Sequence, residues 1–380
     1  MTLEMLQVGM EWLSEHPGGL NRVYAHLLRE FASQDMELLG LVAGSPNVTR
    51  VSNGLANAFA PLDASLAARM RALRGAAVPW LRVHPDALIV SHFALHALPL
   101  LDQVRRHPFV VHFQGPWGEE SRAEGASGIS AAIKSFVERR VYRRADRAIV
   151  LSRAFGDILH ARFGVPRDRI HVVPGGVEVA RFAHEMPRDD CRRALGWPTD
   201  RPIILCVRRL VHRVGLDLLI AAAEGIRRRV PDALILIAGT GPLAKELQHL
   251  ITAGALHDTV RLVGFVSEES LPLAYRAANM TVVPSLALEG FGLIVVESLA
   301  AGTPCIVTPV GGLPDIVAPL SSRLVATSTA PADIATALVG ALLNETDLPS
   351  PSECTEFARM NFDWPVIARG VRAVYEQALR

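Results

Sequence analysis

The sequence predicts an α/β protein of two domains, each built on a parallel β-sheet with helices on both faces. Its 380 residues exceed what one hydrophobic core usually organises, and two domains of about 180 residues each are the natural division. Short apolar runs alternate with longer stretches of helical periodicity, which is typical of parallel sheets buried on both faces. This alternation stops at a polar, proline-containing segment, about 182–200, and then restarts, so we place the domain boundary there.

The first half begins with a predicted strand, a Pro17-Gly18-Gly19 turn and a predicted helix. A Gly-Gly pair is usually only a turn, but ligands gather at the carboxyl ends of parallel strands, where a bare backbone can approach a phosphate. The strands predicted in this half are 5–10, 37–42, 87–90, 109–113, 148–152 and 170–177, and the predicted helix is 20–31.

Two histidines follow apolar strands, His92 in ALIVSHF and His112 in FVVHFQG. A lone histidine is more often a structural residue than a catalytic one, and for His92 both interpretations stay open.

The segment IKSFVERRVYRRADR, residues 133–147, is cationic and has helical periodicity. Phe136, Val137, Val141 and Ala145 are predicted to form one apolar stripe, with the arginines elsewhere. A cationic helix face is usually just solvated, and attraction to anionic lipid headgroups is the alternative.

The second half repeats the alternation of strands and helices. An arginine-rich loop, CVRRLVHRVG, follows its first strand, and Gly264-Phe265-Val266 follows its third. The strands predicted here are 203–207, 234–238, 260–263, 280–283 and 305–308, and the predicted helix is 216–229.

The stretch PSLALEGFGLIVVESLAAGTP, residues 284–304, has the clearest functional pattern. A glycine-rich turn leads into a predicted helix, 293–301, that stops at Gly302. Uncovered amides at the start of a helix, together with its dipole, form a site for phosphate oxygens. Burying the Glu297 carboxylate on this helix is costly unless a group such as a sugar diol hydrogen-bonds it. The amides expected to contribute are those of Gly290, Phe291, Gly292, Leu293 and Ile294.

Glu289 and Glu297 in this stretch resemble the E-x7-E signature of the retaining glycosyltransferase family 4, which has the GT-B fold. The resemblance implies two facing Rossmann-like domains with an interdomain cleft and a C-terminal helix that crosses back to the first domain. It implies that Glu289 binds donor-sugar hydroxyls and that Glu297 binds the nucleotide ribose. The implied divisions are an acceptor-binding domain, a nucleotide-sugar-binding domain and the final helix, at 1–184, 185–360 and 361–380.

The arginine-rich loop resembles the family loop in which an Arg and a Lys clamp the donor diphosphate. Arg209 fills the Arg position, but Val214 stands where the Lys is expected. We therefore expect Arg213 to act as the substitute, assisted by Arg208, because a bound diphosphate requires positive charge.

Three other segments resemble the family. PGGLNRVYAHLL resembles its first loop, which makes Asn21 and Arg22 candidate substrate contacts. VVHFQGPWGEES resembles the segment whose histidine lies close to the donor sugar, which here is His112. Gly264, Phe265 and Val266 resemble the segment that holds the nucleobase through main-chain groups, and Ser267 offers no carboxylate for a guanine amino group, which favours uracil.

The expected function is transfer of a hexose from a nucleotide-diphosphate sugar, UDP rather than GDP, to a hydroxyl acceptor in polysaccharide, glycolipid or small-glycoside biosynthesis. His112, Glu289, Arg209 and Arg213 are the expected catalytic residues, and neither a metal nor another cofactor is required. Two alternatives stay open: a nucleotide-sugar epimerase or phosphorylase of the same fold, and an inactive protein that binds sugar nucleotides or acts as a scaffold.

Composition restricts the partners and the location. The formal net charge of +1 does not indicate nucleic-acid binding. No apolar run approaches the roughly 20 residues that span a bilayer, so we expect a cytoplasmic protein, with peripheral contact through 133–147 as the alternative. The cysteines lack metal-binding spacing and are expected to be reduced core thiols, at positions Cys191, Cys206, Cys305 and Cys354.

Overall fold

The structure, a computed structural model, describes residues 3–34, 36–123, 127–287 and 289–380. It divides the chain into two compact units, one formed by Met1–Gly175 with Trp364–Arg380 and the other by Gly176–Asp363. The change of unit falls before the polar segment 182–200, which is itself partly helical and belongs to the second unit.

The first unit contains a seven-stranded sheet in the order β3-β2-β1-β4-β5-β6-β7, with every neighbouring pair parallel. Chain order reverses between β1 and β4. The strands are β1 Leu3–Glu11, β2 Met36–Ala43, β3 Ala56–Ala60, β4 Leu88–Ser91, β5 Phe109–Phe113, β6 Arg147–Val150 and β7 Ile170–Val172. The helices up to this point are α1 Gly19–Ala32, α2 Val48–Val51, α3 Leu66–Val83, α4 Ala94–Ala97, α5 Trp117–Ala123, α6 Gly128–Tyr142 and α7 Arg153–Ile158.

The second unit contains a five-stranded parallel sheet in the order β10-β9-β8-β11-β12. Chain order reverses between β8 and β11, and open α/β sheets bind ligands outside the carboxyl ends of the strands at such a switch point. The strands are β8 Ile203–Val207, β9 Leu234–Ala238, β10 Val260–Gly264, β11 Met280–Val283 and β12 Cys305–Val307. The helices are α8 Val179–Phe182, α9 Arg188–Leu195, α10 Leu216–Arg229, α11 Ala244–Ala253, α12 Leu271–Ala277, α13 Leu293–Ala300, α14 Leu313–Val317, α15 Pro331–Leu342 and α16 Pro351–Phe362.

The C-terminal helix α17, Trp364–Ala378, belongs to the first unit, as expected from the resemblance. Its apolar face packs with residues of α1 and of the central strands in one core cluster. Trp364 stacks on His26 with ring centroids 4.7 Å apart, and Tyr375 is fully buried. Residues distant in the sequence thereby complete one core.

The predicted apolar stripe on α6 is wrong at one position. Val137 and Val141 are buried, but Phe136 is 65 % exposed, together with Ile129 at 77 % and Ile133 at 60 %. Consecutive residues on a helix point about 100° apart, and in α6 it is Val137 and Glu138 that face the core, which leaves Phe136 on the outer side. The helix also ends at Tyr142, short of the predicted end at 147.

Helix α9 is fixed to the second unit by a buried arginine, which explains why this polar segment is ordered. The Arg192 guanidinium donates to the carbonyl oxygens of Ala277 and Arg201 and to Asn279 Oδ1. The four cysteines are buried and unpaired, as predicted. Among the described residues, no helix combines the length and the apolar character that crossing a bilayer requires.

Candidate functional site

Close backbone approaches join three loops at the carboxyl ends of β8, β11 and β12. Leu286 N donates to Arg213 O at 3.0 Å, and Gly312 N donates to Glu289 O at 2.9 Å. Gly311 has a φ of +59°, and a Cβ there would lie 1.9 Å from Glu289 O. Glycine is therefore required at this position, and it holds the loop after β12 against the loop that contains Glu289.

Glu289 lies in this group of loops and is 8 % exposed. Its Oε2 accepts hydrogen bonds from Arg208 Nη2 at 2.5 Å and from Ser285 Oγ at 2.8 Å. Arg208 Nη2 also lies 3.0 Å from Ser285 Oγ. The sequence analysis expected Arg208 to assist the diphosphate clamp. In the structure its guanidinium pairs with Glu289.

Arg209 and Arg213 lie in the same loop, between β8 and α10. Arg209 is exposed and Arg213 is half-buried, and each makes further polar interactions. Val214, at the expected lysine position, is 2 % exposed and belongs to the core. The structure thus brings two cationic residues to this loop, and their role as a clamp stays a prediction.

Helix α13 begins at Leu293, as predicted, after Gly292 at its N-cap with a φ of +85°. The first amides of any α-helix lack intrahelical acceptors, so those of Leu293 and Ile294 point out of the helix start. Phe291 is 4 % exposed and packs edge-on to Phe362, so its side chain anchors the turn in the core. Leu288 lies outside the described residues.

Glu297 is 5 % exposed and accepts a hydrogen bond from Tyr275 Oη at 2.8 Å. The sequence analysis expected a sugar diol to satisfy this buried carboxylate, but a core tyrosine on the neighbouring helix α12 supplies a donor. The contact of Glu297 with a ribose stays a prediction.

The segment predicted to hold a nucleobase follows β10. Gly264 has a φ of +75°, and a Cβ there would meet no atom within 4 Å. Phe265 is 74 % exposed, and Val266 is half-buried. Glu268, farther along, pairs with Arg181 at 2.9 Å. This backbone is therefore accessible, and the nearest acid has a cationic partner.

The first loop of the first unit lies between β1 and α1. Gly18 is extended, and a Cβ there would meet no atom within 4 Å, so neither φ nor packing requires glycine. Gly19 starts α1. The Asn21 amide donates to His16 O at 2.9 Å and accepts from Glu11 N at 3.2 Å. The Asn21 side chain therefore fixes the loop, and its contact with substrate stays a prediction.

His112 is 3 % exposed, and its Nε2 lies 2.8 Å from Tyr375 Oη. Its ring stacks on that of His92 with centroids 4.0 Å apart. Burial lowers the pKa of His112 to about 3, so the ring is neutral at pH 7. Alternate strand residues face opposite sides, and His112 shares its side with Val110, which α17 covers. The contact of His112 with a donor sugar stays a prediction.

Gln114 is the functional candidate that the sequence analysis missed. It lies in the loop after β5, and its Nε2 is buried and has no hydrogen-bond partner within the described ranges. Burying an amide without a hydrogen-bond partner is costly, and a functional role is one explanation for such a group. The sequence signal was present, since Gln114 is the polar residue directly past the end of the strand.

Glu138 holds the following turn. Its carboxylate is fully buried and accepts hydrogen bonds from Trp117 N at 2.9 Å and Gly118 N at 3.0 Å. Burial raises the pKa of Glu138 to about 7, against the lowering effect of these two bonds.

One group in the described part of the chain could hold a metal ion: Glu4, Glu37 and His84 have ligand atoms within 4.8 Å of one another. His84 Nε2 already pairs with Glu37 at 2.9 Å. Hydrogen bonds to Trp80 O and Glu37 raise the pKa of His84, which favours the imidazolium, a form that cannot ligate through this nitrogen.

Two α/β units that each contain a parallel sheet, with a buried acid, arginines and a helix start in the second, have the features expected of a GT-B glycosyltransferase. Family models agree: residues 17–181 match the Glycosyltransferase Family 4 model, and residues 187–360 match the model for glycosyl transferases group 1. The chain belongs to glycosyltransferase family 4.

Individual relatives are enzymes of this family. A D-inositol 3-phosphate glycosyltransferase from Salinispora arenicola is 31 % identical over 310 residues, which cover 77 % of this chain and 69 % of the relative. A GDP-mannose-dependent alpha-(1-6)-phosphatidylinositol monomannoside mannosyltransferase from Mycolicibacterium smegmatis is 32 % identical over 211 residues, 54 % of this chain and 55 % of that protein. The match to this mannosyltransferase covers about half of its length, and so does the match to an uncharacterized glycosyltransferase from Methanocaldococcus jannaschii.

Solved structures show the same fold at low identity. Anabaena HepE, crystallised with UDP-glucose, is 17 % identical with a TM-score of 0.77, over 99 % of this chain and all of that chain. A sucrose-phosphate synthase from Thermosynechococcus elongatus is 22 % identical with a TM-score of 0.73, over 99 % of this chain and 98 % of that chain.

The requirement for glycine at 311 is testable. Gly311→Ala is expected to lower the free energy of unfolding by roughly 2–4 kcal/mol, because the new Cβ would clash with Glu289 O in a left-handed backbone. Gly75→Ala in α3 is the control: no atom lies within 4 Å of its Cβ, and it should raise stability by about 0.5–1 kcal/mol. Urea unfolding measures both, and equal stability of the Gly311 variant and the wild type would contradict the argument.

The raised pKa of Glu138 predicts a pH dependence. Since the folded pKa of about 7 exceeds the ordinary 4.5, the folded state binds more protons between these values. The free energy of unfolding should therefore fall as pH rises from 4.5 through 7, by up to about 1.4 kcal/mol per pH unit. Glu138→Gln removes the titration, so the stability difference between wild type and variant should change by roughly 3 kcal/mol over that range. Parallel stability–pH curves for the two proteins would refute the assignment.

Proposed function

We propose that this glycosyltransferase moves a hexose from a nucleotide-diphosphate sugar to a hydroxyl acceptor with retention of configuration. The observation that supports this most directly is the buried Glu289 carboxylate, which lies at the switch point of the second unit beside an arginine-rich loop. Sugar hydroxyls are suitable partners for such a carboxylate, and a diphosphate is a suitable partner for the neighbouring cations.

In the proposed reaction, Arg209, Arg213 and the first amides of α13 stabilise the charge that develops on the leaving diphosphate. The bond from the anomeric carbon to the diphosphate breaks as the bond to the acceptor oxygen forms on the same face of the sugar. The acceptor proton passes to an oxygen of the departing diphosphate. Glu289 orients the hexose, and no carboxylate acts as a nucleophile.

In the first unit we keep His112 as a predicted substrate contact and add Gln114 as a second candidate. The imidazole of His112 is paired with Tyr375, whereas Gln114 offers an amide N–H without a partner among the described residues. An amide can donate to a sugar oxygen but transfers no proton at pH 7, so its role is positioning.

We favour a UDP-sugar over a GDP-sugar as the donor. The segment Gly264–Val266 is accessible, Ser267 offers no carboxylate to a guanine amino group, and Glu268 is paired with Arg181. UDP-glucose is bound by the structural relative HepE, whereas the mycobacterial relative is named for GDP-mannose. Direct comparison of the two nucleotides is therefore part of the test.

We also propose peripheral contact with an anionic membrane through α6. The exposed side chains of Ile129, Ile133 and Phe136 lie at positions i, i+4 and i+7 and so share one face. Arg139 and Arg140 are exposed at the following turn. An apolar face flanked by cations is typical of helices that lie in the plane of an anionic lipid surface.

The donor assignment predicts a specific pattern of binding and activity. UDP-sugars should raise the melting temperature more than GDP-sugars, since a ligand that binds only the folded state stabilises it. Glu289→Gln should lower kcat/KM by roughly a hundredfold, because it replaces the charged acceptor of hydroxyl hydrogen bonds. Arg213→Ala should weaken UDP binding by roughly tenfold.

Glu246→Gln, a change at an exposed helix position, is the matched control for the glutamate and should leave kcat/KM unchanged. Epimerised donor, or cleavage that depends on phosphate, without transfer would instead identify an epimerase or a phosphorylase. Binding of nucleotide sugars with no turnover of any kind would identify an inactive binding protein.

The membrane contact is tested with vesicles. The protein should sediment with phosphatidylglycerol vesicles and not with phosphatidylcholine vesicles, and salt should weaken the binding. The double variant Ile133→Ser, Phe136→Ser should bind at least about tenfold more weakly, because each side chain buries apolar area in the interface. Met360→Ser, an equally exposed apolar position in α16, is the control. Unchanged binding of the double variant, or a dimer that the same substitutions dissociate, would refute the proposal.

A further inference from the structure

The guanidinium of Arg208 is more buried than its position in a surface loop requires. The side chains of Arg208 and Glu289 are 11 % and 10 % exposed, and the two form an ion pair that Ser285 Oγ joins. Removing two charges from water is costly, and a buried pair alone is weak grounds for stability. The pair therefore invites a functional explanation.

The two hydrogen bonds to Glu289 have a consequence for its other oxygen. Arg208 and Ser285 both donate to Oε2, and no group among the described residues donates to Oε1. A Cβ built at Gly292 would lie 3.9 Å from Oε1, so this oxygen lies on the side of the start of α13. That is where the proposed function places the donor diphosphate, next to the sugar that it carries.

The backbone of Arg208 is held in place by two contacts with the end of β9 and the loop after it. Arg208 N donates to Ala238 O at 2.8 Å, which continues the β8–β9 ladder past the end of the strand. Gly239 approaches so closely that a Cβ there would lie 2.0 Å from Arg208 O. Arg209, by contrast, is exposed. Neighbouring arginines thus have different surroundings, one inside the loop cluster and one at its surface.

We propose that Arg208 is a positioning residue of the donor site: it fixes Oε2 of Glu289 so that Oε1 accepts hydrogen bonds from hydroxyls of the transferred hexose. This inference rests on the proposed function. It separates the arginines by task, since Arg208 orients the acid that binds the sugar, while Arg209 and Arg213 contact the diphosphate.

The proposal predicts that Arg208 affects the sugar portion of the donor and not the nucleotide portion. In Arg208→Gln, kcat/KM should fall roughly tenfold to a hundredfold, because the carboxylate loses its charged anchor. Affinity for UDP alone should stay within about twofold of wild type, so the preference for UDP-sugar over UDP is lost. Arg208→Lys should retain part of the preference for UDP-sugar over UDP. Ser285→Ala should lower this preference less than Arg208→Gln does.

Arg192→Gln is the matched control, because Arg192 is another buried arginine of the same unit whose bonds only hold backbone and Asn279. It should lower the melting temperature yet leave the preference for UDP-sugar over UDP unchanged. Calorimetric titration with UDP-glucose and with UDP, alongside a melting curve for each variant, gives both readouts.

Each outcome supports or overturns the inference. A folded Arg208→Gln protein with wild-type kcat/KM and an unchanged preference would reduce the pair to a structural contact. An equal loss of UDP affinity would make Arg208 part of the diphosphate clamp instead. If Arg208→Gln does not fold, Arg208→Lys and Ser285→Ala decide, and an unchanged preference in both overturns the inference. A wild-type protein that binds no nucleotide sugar would refute the proposed function itself, which is a different result from any of these.

Discussion

The contact on which the candidate site depends is the ion pair of Glu289 with Arg208. Both side chains are about nine-tenths buried at the point where chain order reverses in the second sheet. A carboxylate in this environment needs donors, and Arg208 and Ser285 supply them from two different loops. These two bonds, both to Oε2, compensate the carboxylate for its removal from water.

Glycines make this arrangement possible. Gly239 lies against the backbone of Arg208, Gly311 lies against the backbone of Glu289, and both have positive φ angles. A side chain at either position would separate loops that must touch. The parallel sheet brings the loops to one edge, and the glycines allow their backbones to come into contact. The geometry of the site therefore depends on backbone contacts as much as on charged side chains.

The sequence predicted the strands of the second unit well, because buried parallel strands appear as continuous apolar runs: 203–207, 234–238 and 280–283 agree with the structure at both ends. It missed β3 and α3 in the first unit, where alanine-rich segments lack a strong pattern. Site residues were harder to predict. Sequence spacing brought His112 and Gln114 equally close to the strand end, and only the packing of α17, whose Tyr375 lies against His112, shows that His112 is buried among core residues. Similarly, no local pattern indicates that Arg208, rather than Arg209, turns inward to Glu289, because that choice is made by a residue 81 positions away.

The pairing of Arg208 with Glu289 also determines the net charge of the loop after β8. Three arginines stand within six residues there, which suggests an excess of positive charge, yet the charge of Arg208 is matched by Glu289 inside the same cluster. The other two cations of this loop are Arg209 and Arg213, and the positive end of the α13 dipole, worth about half a unit charge, lies in the same unit. Val214 packs in the core where family relatives are expected to have a lysine, so a lysine at 214 could not simply be added to this loop without displacing a buried valine. Arg213, the residue before it, is half-buried rather than enclosed, and its role in place of the lysine stays a prediction.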